Sequence, residues 1–529
     1  MRALLGMGHA HIGLWALILA GCTGRVEYAK GEAGAEGAEE GGAVAEGGAE
    51  GSADGGGSTD GAGSGADGDP SDGGGDGGAV ETPALRRPPE APDLDPAPGV
   101  VEVELVAAHQ TRTVADGRGG EIVVEGYAYN GSSPGPTIRA QVGDTVRVRL
   151  RNELEVPTTI HWHGLDVPFE MDGVVHGPGG GAPMAGAVEP GATFTYSFTV
   201  DRPLTAWYHP HFDSARQVDA GLYGALVVVD PSEPAVEQDL VLVLDDLPLD
   251  GIVVDEGGVD TGGHGTGGGH SGPSEGLWLV NGDVAPRLEV PAGLRLRLRL
   301  INVSNSGMLW IGADDEAPLR VIARDQGLLS AIEAPTRELL APGDRVELEV
   351  EPSASPLRLI DHPYVIEGGE ATGAAAPVLE ILARGAGVPA DPLRWPTSGA
   401  APTTDPGSTD VRWLLQGSLS GDDWRINGEV FPEVTVAEAV VDQPVVIEVQ
   451  NLSPTTHPFH LHGMAFEVLS IDGAAPAARQ VEDTLNLGLY QRARLRAVPP
   501  AVGDWMAHCH ILPHADGGMM TVLRVEEAE

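Results

Sequence analysis

The chain has 529 residues, which is too long for one ordinary domain. At roughly 150 residues per domain, this length predicts about three domains. The formal net charge is −47 at pH 7, and so strong an excess of acidic side chains argues against nucleic acid as a partner. Acidity of this kind fits an exported protein or one that meets cations, and it specifies neither.

Residues 1–22 have the pattern of an export signal. Arg2 gives a weakly positive start, and the apolar core at residues 12–20 is too short to span a membrane as a helix. The ending Leu-Ala-Gly-Cys22 resembles the lipobox of bacterial lipoproteins, which implies a lipid on Cys22. A plain signal peptide with a chance cysteine is the alternative. We therefore expect an exported lipoprotein, anchored to the cell envelope through Cys22 and lying in the periplasm or at the outer membrane or cell surface.

Residues 23–96 are predicted to form a disordered tether. Between residues 31 and 80 there are twelve Asp or Glu side chains and no Lys or Arg, in a background of Gly, Ala and Ser. Such a segment cannot bury enough apolar surface to order itself, and its charges repel one another. We expect the tether to hold a globular body away from the membrane.

A pattern of about 150 residues recurs three times in the rest of the chain. Each copy has an Asn-Gly pair and then two strand-like stretches of alternating side chains, and it closes on an asparagine. The pairs begin at Asn130, Asn281 and Asn427, and the closing residues are Asn152, Asn302 and Asn451. Three such copies predict three similar all-β domains, built as sandwiches or barrels.

We place the three domains at residues 97–231, 236–384 and 408–529. Residues 385–407 are rich in proline and are predicted to link the second domain to the third. The glycine-rich stretch 257–272 contains His264 and His270 and is predicted to be a surface loop of the middle domain, with weak metal binding as the alternative reading.

The segment from Trp505 to Met520 carries a cysteine between two histidines. A soft thiolate with two imidazoles and a weak axial thioether is the ligand set that selects copper. Cys509, His514 and Met519 supply three of these four ligands, and residues 455–463, which contain three histidines, are the obvious source of the fourth.

If residues 505–510 form a strand, its alternation separates two groups of ligands. Side chains of successive strand residues point to opposite faces, so Cys509 lies on one face while His508 and His510 lie on the other. One strand then holds ligands of two different metal sites, and the covalent path between the sites is short. With Cys509 on a metal and Cys22 acylated, no cysteine is left for a disulfide.

Four His-x-His pairs stand at matched positions of the first and third repeats. Counted from the closing asparagine, positions +9 and +11 are histidines in both, whereas the same offset in the middle repeat gives Ile311 and Ala313. A second pair follows near the end of each of these two repeats. Between its two histidines, the first repeat has Pro210 at the position that Cys509 occupies in the third. The four pairs are His161 and His163, His209 and His211, His460 and His462, and His508 and His510. Matched pairs in two related domains predict one shared site at a pseudo-twofold interface, and imidazole suits copper.

These four segments resemble the four copper motifs of the multicopper oxidases, the three-domain laccase-like family. The resemblance covers residues from about 97 to the end and implies three consecutive cupredoxin-like Greek-key β-barrel or sandwich domains. It implies four coppers per chain, one of type 1, one of type 2 and a type 3 pair. The type 1 ligands carried over from the family are His457, Cys509, His514 and Met519. The type 2 ligands are His161 and His460, and the type 3 ligands are His163, His209, His211, His462, His508 and His510.

The resemblance also implies the reaction and its partners. A small-molecule or metal-ion reductant would give single electrons to type 1 copper, and four of them would reduce dioxygen to water at the type 2 and type 3 cluster. Asp172 is the candidate proton donor, with a turn-forming Asp-Gly pair as the alternative. Many bacterial members carry a glutamate directly after the second type 1 histidine, whereas this chain has Ala515. Asp213 or Asp516 are therefore alternatives for a second proton route.

Sequence leaves the reductant open between two classes. Phenols and aromatic amines, the substrates of a laccase, are the first expectation, because the nine methionines form no cluster of the kind found in copper-efflux members. A metallo-oxidase of Cu(I), Fe(II) or Mn(II) is the alternative. A copper nitrite reductase would not need eight cluster histidines, and a non-enzymatic copper-binding protein would not need all twelve ligands.

Overall fold

The computed structural model describes residues 82–116, 120–175, 186–248, 253–255, 258–260, 276–353, 355–365, 371–372, 374–388, 391–417 and 423–528. Strands dominate these residues, and the described helices are short: two α-helices, Ser214–Asp219 and Leu512–Asp516, and the 3-10 helix Phe169–Met171. The predicted all-β class is confirmed. Six large sheets follow one another along the chain in three pairs.

The first pair of sheets holds residues 100–229. One sheet has the strand order Glu121–Tyr129, Val100–Ala115, Thr145–Asn152 and Thr193–Thr199. The other has the order Ile138–Gln141, Gly224–Val229, Leu204–His209 and His161–His163. In the first of these sheets, Val100–Ala115 and Thr145–Asn152 are parallel neighbours although other strands separate them in the sequence. The connection between them therefore crosses over.

The second pair holds residues 238–384. Its seven-stranded sheet has the order Asp283–Val284, Gly276–Val280, Gln238–Pro248, Leu296–Asn302, Arg345–Val350, Val321–Arg324 and Gly327–Glu333. Its five-stranded sheet has the order Arg287–Pro291, Ala376–Arg384, Leu357–Asp361, Leu309–Ala313 and Arg337–Leu340. Two small hairpins form two-stranded sheets of their own, Val253–Asp255 with Gly258–Asp260 and Tyr364–Val365 with Ala371–Thr372.

The third pair holds residues 411–526. Its six-stranded sheet has the order Arg425–Ile426, Val411–Gln416, Val445–Asn451, Arg492–Ala497, Phe466–Ile471 and Val481–Glu482. Its five-stranded sheet has the order Ala437–Val440, Met520–Glu526, Gly503–Cys509, His457–Leu461 and Thr484–Leu487. Each of the three pairs encloses a core of aliphatic and aromatic side chains. The exact domain boundaries given above remain predictions.

The asparagines of the sequence repeat make the same contacts in every copy. Each closing asparagine accepts a hydrogen bond through its side-chain oxygen from the backbone N–H two residues on, and its amide donates to distant backbone carbonyls. For example, the amide of Asn152 reaches the carbonyl of Val188, and that of Asn302 reaches the carbonyl of Leu340. These buried contacts tie the end of a strand to the loop that follows it. In the first and third copies, this asparagine therefore fixes the start of the segment that carries the first histidine pair.

The Asn-Gly pairs form tight turns for an equally local reason. Asn130, Asn281 and Asn427 have φ between 53 and 57°, and the glycines after them are also left-handed. Asparagine tolerates this conformation and glycine adopts it without strain, which is why the pair marks such turns.

At the positions that match the histidine pairs, the middle pair of sheets carries core residues. Ile311 belongs to its hydrophobic core, and Ala313 is buried beside it in the same strand. Neither side chain carries a ligand atom, and the absence of copper ligands from this repeat stays a prediction.

The predicted tether is wrong for its last fifteen residues, 82–96. This segment is extended along the body: the N–H of Leu85 donates to the carbonyl of Arg287, and the N–H of Ala91 donates to that of Thr137. Arg86 also pairs with Asp283. The glycine-rich composition ends before this stretch, and Leu85 packs against the core of the middle pair of sheets. Within the predicted linker, Trp395 is buried against Ile322 and donates its indole N–H to Glu349.

Several predictions concern residues outside the described ranges. These are the signal and lipid site at residues 1–22, the tether up to residue 81, and the loop histidines His264 and His270. Among the helices of the described residues, none is both long and apolar enough to cross a membrane.

Candidate metal centres

The strand Gly503–Cys509 runs between the strands Met520–Glu526 and His457–Leu461. Its register pairs Cys509 with Phe459 and His508 with His460. The expected strand is therefore confirmed as far as Cys509, and His510 directly follows its end. The cysteine and the two histidines beside it lie in two different clusters.

The first cluster is formed by Cys509 and two histidines. The sulfur of Cys509 lies 3.4 Å from Nδ1 of His457 and 3.6 Å from Nδ1 of His514, and these two nitrogens are 3.3 Å apart. Met519 is fully buried in the same core, and its carbonyl accepts the N–H of Cys509. Of the histidines in residues 455–463, the geometry selects His457 for this cluster.

Neighbouring side chains fix the two imidazoles of this thiolate cluster. The hydroxyl of Ser453 is 2.6 Å from Nε2 of His457, so the other nitrogen, Nδ1, faces the sulfur. The indole of Trp424 stacks on His514, with ring centroids 3.5 Å apart and planes 22° apart. A Cβ on Gly417 or Gly517 would clash with that indole, so both glycines leave room for it. His457 is 0% exposed and His514 is 4% exposed.

The second cluster brings together all eight histidines of the four pairs. The first pair of sheets contributes four rings, and the third pair contributes the other four. Their strand registers correspond, because His161 pairs with His209 in the first pair of sheets and His460 pairs with His508 in the third. Rings from the two sheets stack on one another, His161 on His462 and His163 on His460, each with centroids 3.9 Å apart. The predicted pseudo-twofold arrangement is what the structure shows.

Most of these imidazoles form a hydrogen bond with the protein through one ring nitrogen, while the other ring nitrogen faces the neighbouring imidazoles. Nδ1 of His161, His209, His460 and His508 each lies about 3 Å from a backbone carbonyl oxygen. Among the described residues, no hydrogen-bond partner exists for Nε2 of His161, His209 and His460, for Nδ1 of His163, or for either nitrogen of His510. Buried nitrogens left in this way are costly unless something binds them, and metal ions are the usual partner of such histidines.

Burial keeps seven of the cluster imidazoles neutral, which is the form that binds metal. Burial lowers the pKa of His508 to about 4. Burial, and then the neighbouring rings, lower the pKa of six more well below the usual range: His163, His209, His211, His460, His462 and His510. Burial also raises the pKa of the Cys509 thiol above its usual value, so in the absence of metal the sulfur keeps its proton.

The donor sets match copper in both clusters. One thiolate and two imidazoles with a methionine nearby is a type 1 copper set, and clustered imidazoles suit copper as well. Three groups of histidines each bring their ligand nitrogens within 4.8 Å of one another. The groups are His161 with His163 and His209, His161 with His460 and His462, and His211 with His462 and His508. His510 completes the eight at 4.9 Å between its ring centroid and that of His163.

Asp172 is buried against the histidine cluster. Its Oδ1 is 3.1 Å from Nδ1 of His161, and its Oδ2 is 2.9 Å from Nδ1 of His462. The carboxylate therefore accepts a hydrogen bond from one histidine of each half. The two alternatives lie elsewhere: Asp213 precedes the helix Ser214–Asp219, and Asp516 accepts the N–H of Ala215. Burial raises the pKa of Asp516 to about 6.

Sequence reasoning missed Asp483, which contacts the cluster from the other side. Its Oδ1 is 2.9 Å from Nε2 of His163, and its backbone oxygen accepts from Nδ1 of His460. Nothing in the local sequence marks this aspartate, because its neighbours in space come from distant parts of the chain. Trp424 was missed for the same reason.

Comparisons with known proteins agree with these clusters. Family models described as multicopper oxidase match residues 111–233 and 403–529. The chain is 31% identical over 416 residues to a multicopper oxidase of Staphylococcus aureus, covering 75% of this chain and 83% of the relative.

Solved structures show the same fold. A laccase from Pediococcus acidilactici superposes with a TM-score of 0.70 at 26% identity, over 84% of this chain and 94% of that one. A multicopper oxidase from Campylobacter jejuni, described as a metallo-oxidase, has a TM-score of 0.71 over 85% and 96%, and at 23% identity it supports the fold alone. The expected cupredoxin-like architecture is confirmed. The chain therefore belongs to the multicopper oxidase family and is a copper-dependent oxidoreductase that uses dioxygen.

Proposed function

We propose that this protein couples the one-electron oxidation of a reductant at the Cys509 centre to the four-electron reduction of dioxygen at the histidine cluster. Four reductant molecules each give one electron, and dioxygen with four protons becomes two water molecules. The twelve predicted ligands would hold four coppers: His457, Cys509, His514 and Met519 one, His161 and His460 one, and the remaining six histidines a pair. Copper in these sites supplies one-electron redox chemistry that no side chain provides by itself.

The observation that carries this proposal is the single strand that reaches both clusters. Cys509 contacts His457 and His514 on one side, while His508 and His510, bonded directly to it in the chain, belong to the eight-histidine cluster. Two covalently adjacent metal centres are suited to passing electrons from one to the other. An electron-transfer protein would need only the first centre, and a copper nitrite reductase would not need eight imidazoles at the second.

Asp172 is the residue we assign to proton supply. Its carboxylate bridges His161 and His462, so it lies beside the place where dioxygen would take up protons. A positioned acid next to the reacting group is the arrangement that general acid catalysis requires. The same two contacts orient the imidazoles, and the mutants described in the Discussion separate these two roles.

For the reductant we favour phenols and aromatic amines. The P. acidilactici protein of the same fold is called a laccase. In this chain both imidazoles of the Cys509 centre are buried, and an aromatic ring, the Trp424 indole, covers His514. Through this covering indole, an aromatic reductant at the surface could transfer an electron without touching a copper ligand.

The same burial supports one alternative, a metallo-oxidase of Cu(I), Fe(II) or Mn(II). A small ion needs no opening wide enough for a ring, and the C. jejuni protein of similar fold is described as a metallo-oxidase. The strongly acidic chain could also attract cations to the surface.

The decisive experiment uses purified protein reconstituted with copper. We expect four coppers per chain, a visible thiolate-to-copper charge-transfer band, and dioxygen uptake with a phenolic dye. Uptake with Fe(II), Mn(II) or Cu(I) but not with the dye would establish the metallo-oxidase instead. One copper per chain without dioxygen uptake would overturn the proposal and leave an electron-transfer protein.

We also propose that the chain is exported, is anchored by a lipid on Cys22 and takes up copper outside the cytoplasm. The support is the Leu-Ala-Gly-Cys sequence that ends the apolar stretch at residues 12–20. Metabolic labelling with a radioactive fatty acid should mark the wild type and not Cys22→Ser. A copper-loaded pool in the cytosol would contradict this proposal.

A further inference from the structure

The carboxylate of Asp483 is shared between the histidine cluster and one arginine. Oδ1 accepts from Nε2 of His163 at 2.9 Å and from Nη1 of Arg345 at 2.7 Å, while Oδ2 accepts from Nη2 of Arg345 at 2.5 Å. The arginine therefore grips the carboxylate with two parallel hydrogen bonds. Such bidentate pairs are the strong and geometrically specific ones.

Arg345 uses every N–H of its guanidinium. Beyond the two bonds to Asp483, it donates to the backbone carbonyls of Thr205 at 2.9 Å, Gly343 at 3.1 Å and Asp325 at 3.2 Å. Thr205 lies in the strand that ends at His209, so the arginine also contacts a ligand-bearing strand. A guanidinium presents five donors in a fixed plane, and a lysine cannot reproduce this set.

The turn before Arg345 forms part of the wall of the cluster. Gly343 has φ +93°, and a Cβ placed on it would lie 3.0 Å from Cγ of His510 and 3.2 Å from Cε1 of His163. On the opposite side, a Cβ on Gly164 would clash with Nη2 of Arg345. Two glycines thus allow the backbone and the guanidinium to approach the rings closely.

We propose that Arg345 is a positioning residue for the histidine cluster, acting through Asp483 on His163. The middle pair of sheets provides none of the twelve ligands, and this contact gives it a direct part in the metal centre. The guanidinium holds the carboxylate in one orientation, and the carboxylate holds Nε2–H of His163, which leaves Nδ1 of that ring directed at the cluster. Without the arginine, the buried carboxylate would lose its counter-charge and its fixed orientation, and Nε2 of His163 would keep only the Thr484 hydroxyl, 3.1 Å away, as a fixed partner.

This inference rests on the proposed copper site but can fail separately from it. The test compares Arg345→Lys with Asp483→Asn, which is isosteric and removes the charge that the guanidinium grips. Each purified variant is loaded with copper, dialysed against graded chelator, and assayed for copper per chain, for the thiolate charge-transfer band and for the electron paramagnetic resonance spectrum of the cluster.

Arg299 provides the matched control. It is as fully buried as Arg345 and belongs to the neighbouring strand. Its guanidinium pairs with Asp239 and Glu347 and also donates to Thr205. In the described structure it contacts neither Asp483 nor a cluster histidine. Arg299→Lys therefore reports the general effect of weakening a buried ion pair of the middle pair of sheets that does not reach the cluster.

We expect the two test variants to hold cluster copper about 10–100-fold more weakly than the wild type, the usual effect of losing a partner behind a metal ligand. Their thiolate band should persist, and Arg299→Lys should lose thermal stability with cluster copper unchanged. Test variants that retain copper and cluster spectrum like Arg299→Lys would overturn the inference. A wild type that binds no cluster copper would instead refute the proposed function.

Discussion

Replacing Asp172 separates its two possible roles, because asparagine and alanine remove different things. In the wild type the carboxylate accepts from Nδ1–H of both His161 and His462. His161 has a second acceptor, the backbone oxygen of residue 172 at 3.0 Å, which survives any substitution. Asp172→Asn keeps one side-chain oxygen, which can accept from His462, but cannot carry a proton. Asp172→Ala leaves His462 with no side-chain acceptor.

The expected magnitudes follow from these contacts. A buried donor left without its acceptor costs about 1–3 kcal/mol, which corresponds to roughly 5–150-fold in copper affinity for Asp172→Ala. Asp172→Asn should retain copper nearly as the wild type does. If Asp172 delivers protons, the asparagine variant should still lose about 100-fold or more in turnover, within the range of general acid catalysis.

Dioxygen uptake at saturating reductant, measured on protein of known copper content, decides the matter. We expect Asp172→Asn to be fully loaded and slow, and Asp172→Glu to recover part of the rate. A fully loaded Asp172→Asn with wild-type turnover would show that the carboxylate only positions the two histidines, and the proton-donor assignment would be wrong.

Cys509→Ser should abolish the thiolate charge-transfer band and turnover while the histidine cluster keeps its copper, because a serine oxygen is a poor ligand for this site; copper analysis should show one ion fewer per chain. Trp424→Ala should lower the free energy of unfolding by about 3–5 kcal/mol in urea titrations, since it empties a buried indole site stacked on His514; Trp424→Phe should lose less, and equal losses would contradict the stacking argument. Burial raises the pKa of Glu482 to about 8, so the folded protein holds a proton that the unfolded chain releases above its ordinary value of 4.5. The copper-free protein should therefore lose stability as the pH rises through this window, by at most about 1.4 kcal/mol per pH unit; Glu482→Gln should flatten that slope in thermal melts, and an unchanged slope would show that other groups carry it. Removing copper with chelator should lower the melting temperature, because a ligand at about 100 times its dissociation constant stabilises by about 2.7 kcal/mol.

Much of the fold and most of the metal centres could be predicted from the sequence because their signals are local. Alternation of side chains reports strands, and the recurring asparagines cap the ends of equivalent strands with the same hydrogen bonds. The His-x-His pairs needed no knowledge of packing, since alternate residues of a strand share a face. The sequence also separated Cys509 from His508 and His510, as the structure confirms, because that argument depends only on strand periodicity.

The residues that hold the ligands in place could not be predicted in this way. Asp483, Arg345 and Trp424 carry no motif, and their partners lie far away in the chain, so only the packing of sheets from different repeats brings them to the histidines. The prediction for residues 82–96 was wrong because composition describes the tendency of a segment by itself, not the surface available for it to pack against. The sequence by itself determined which side chains can bind copper and on which face of a strand each one lies. The tertiary structure decided which ring nitrogen of His163 and of His462 faces the cluster, because the other nitrogen of each ring contacts an aspartate from the opposite repeat, Asp483 or Asp172.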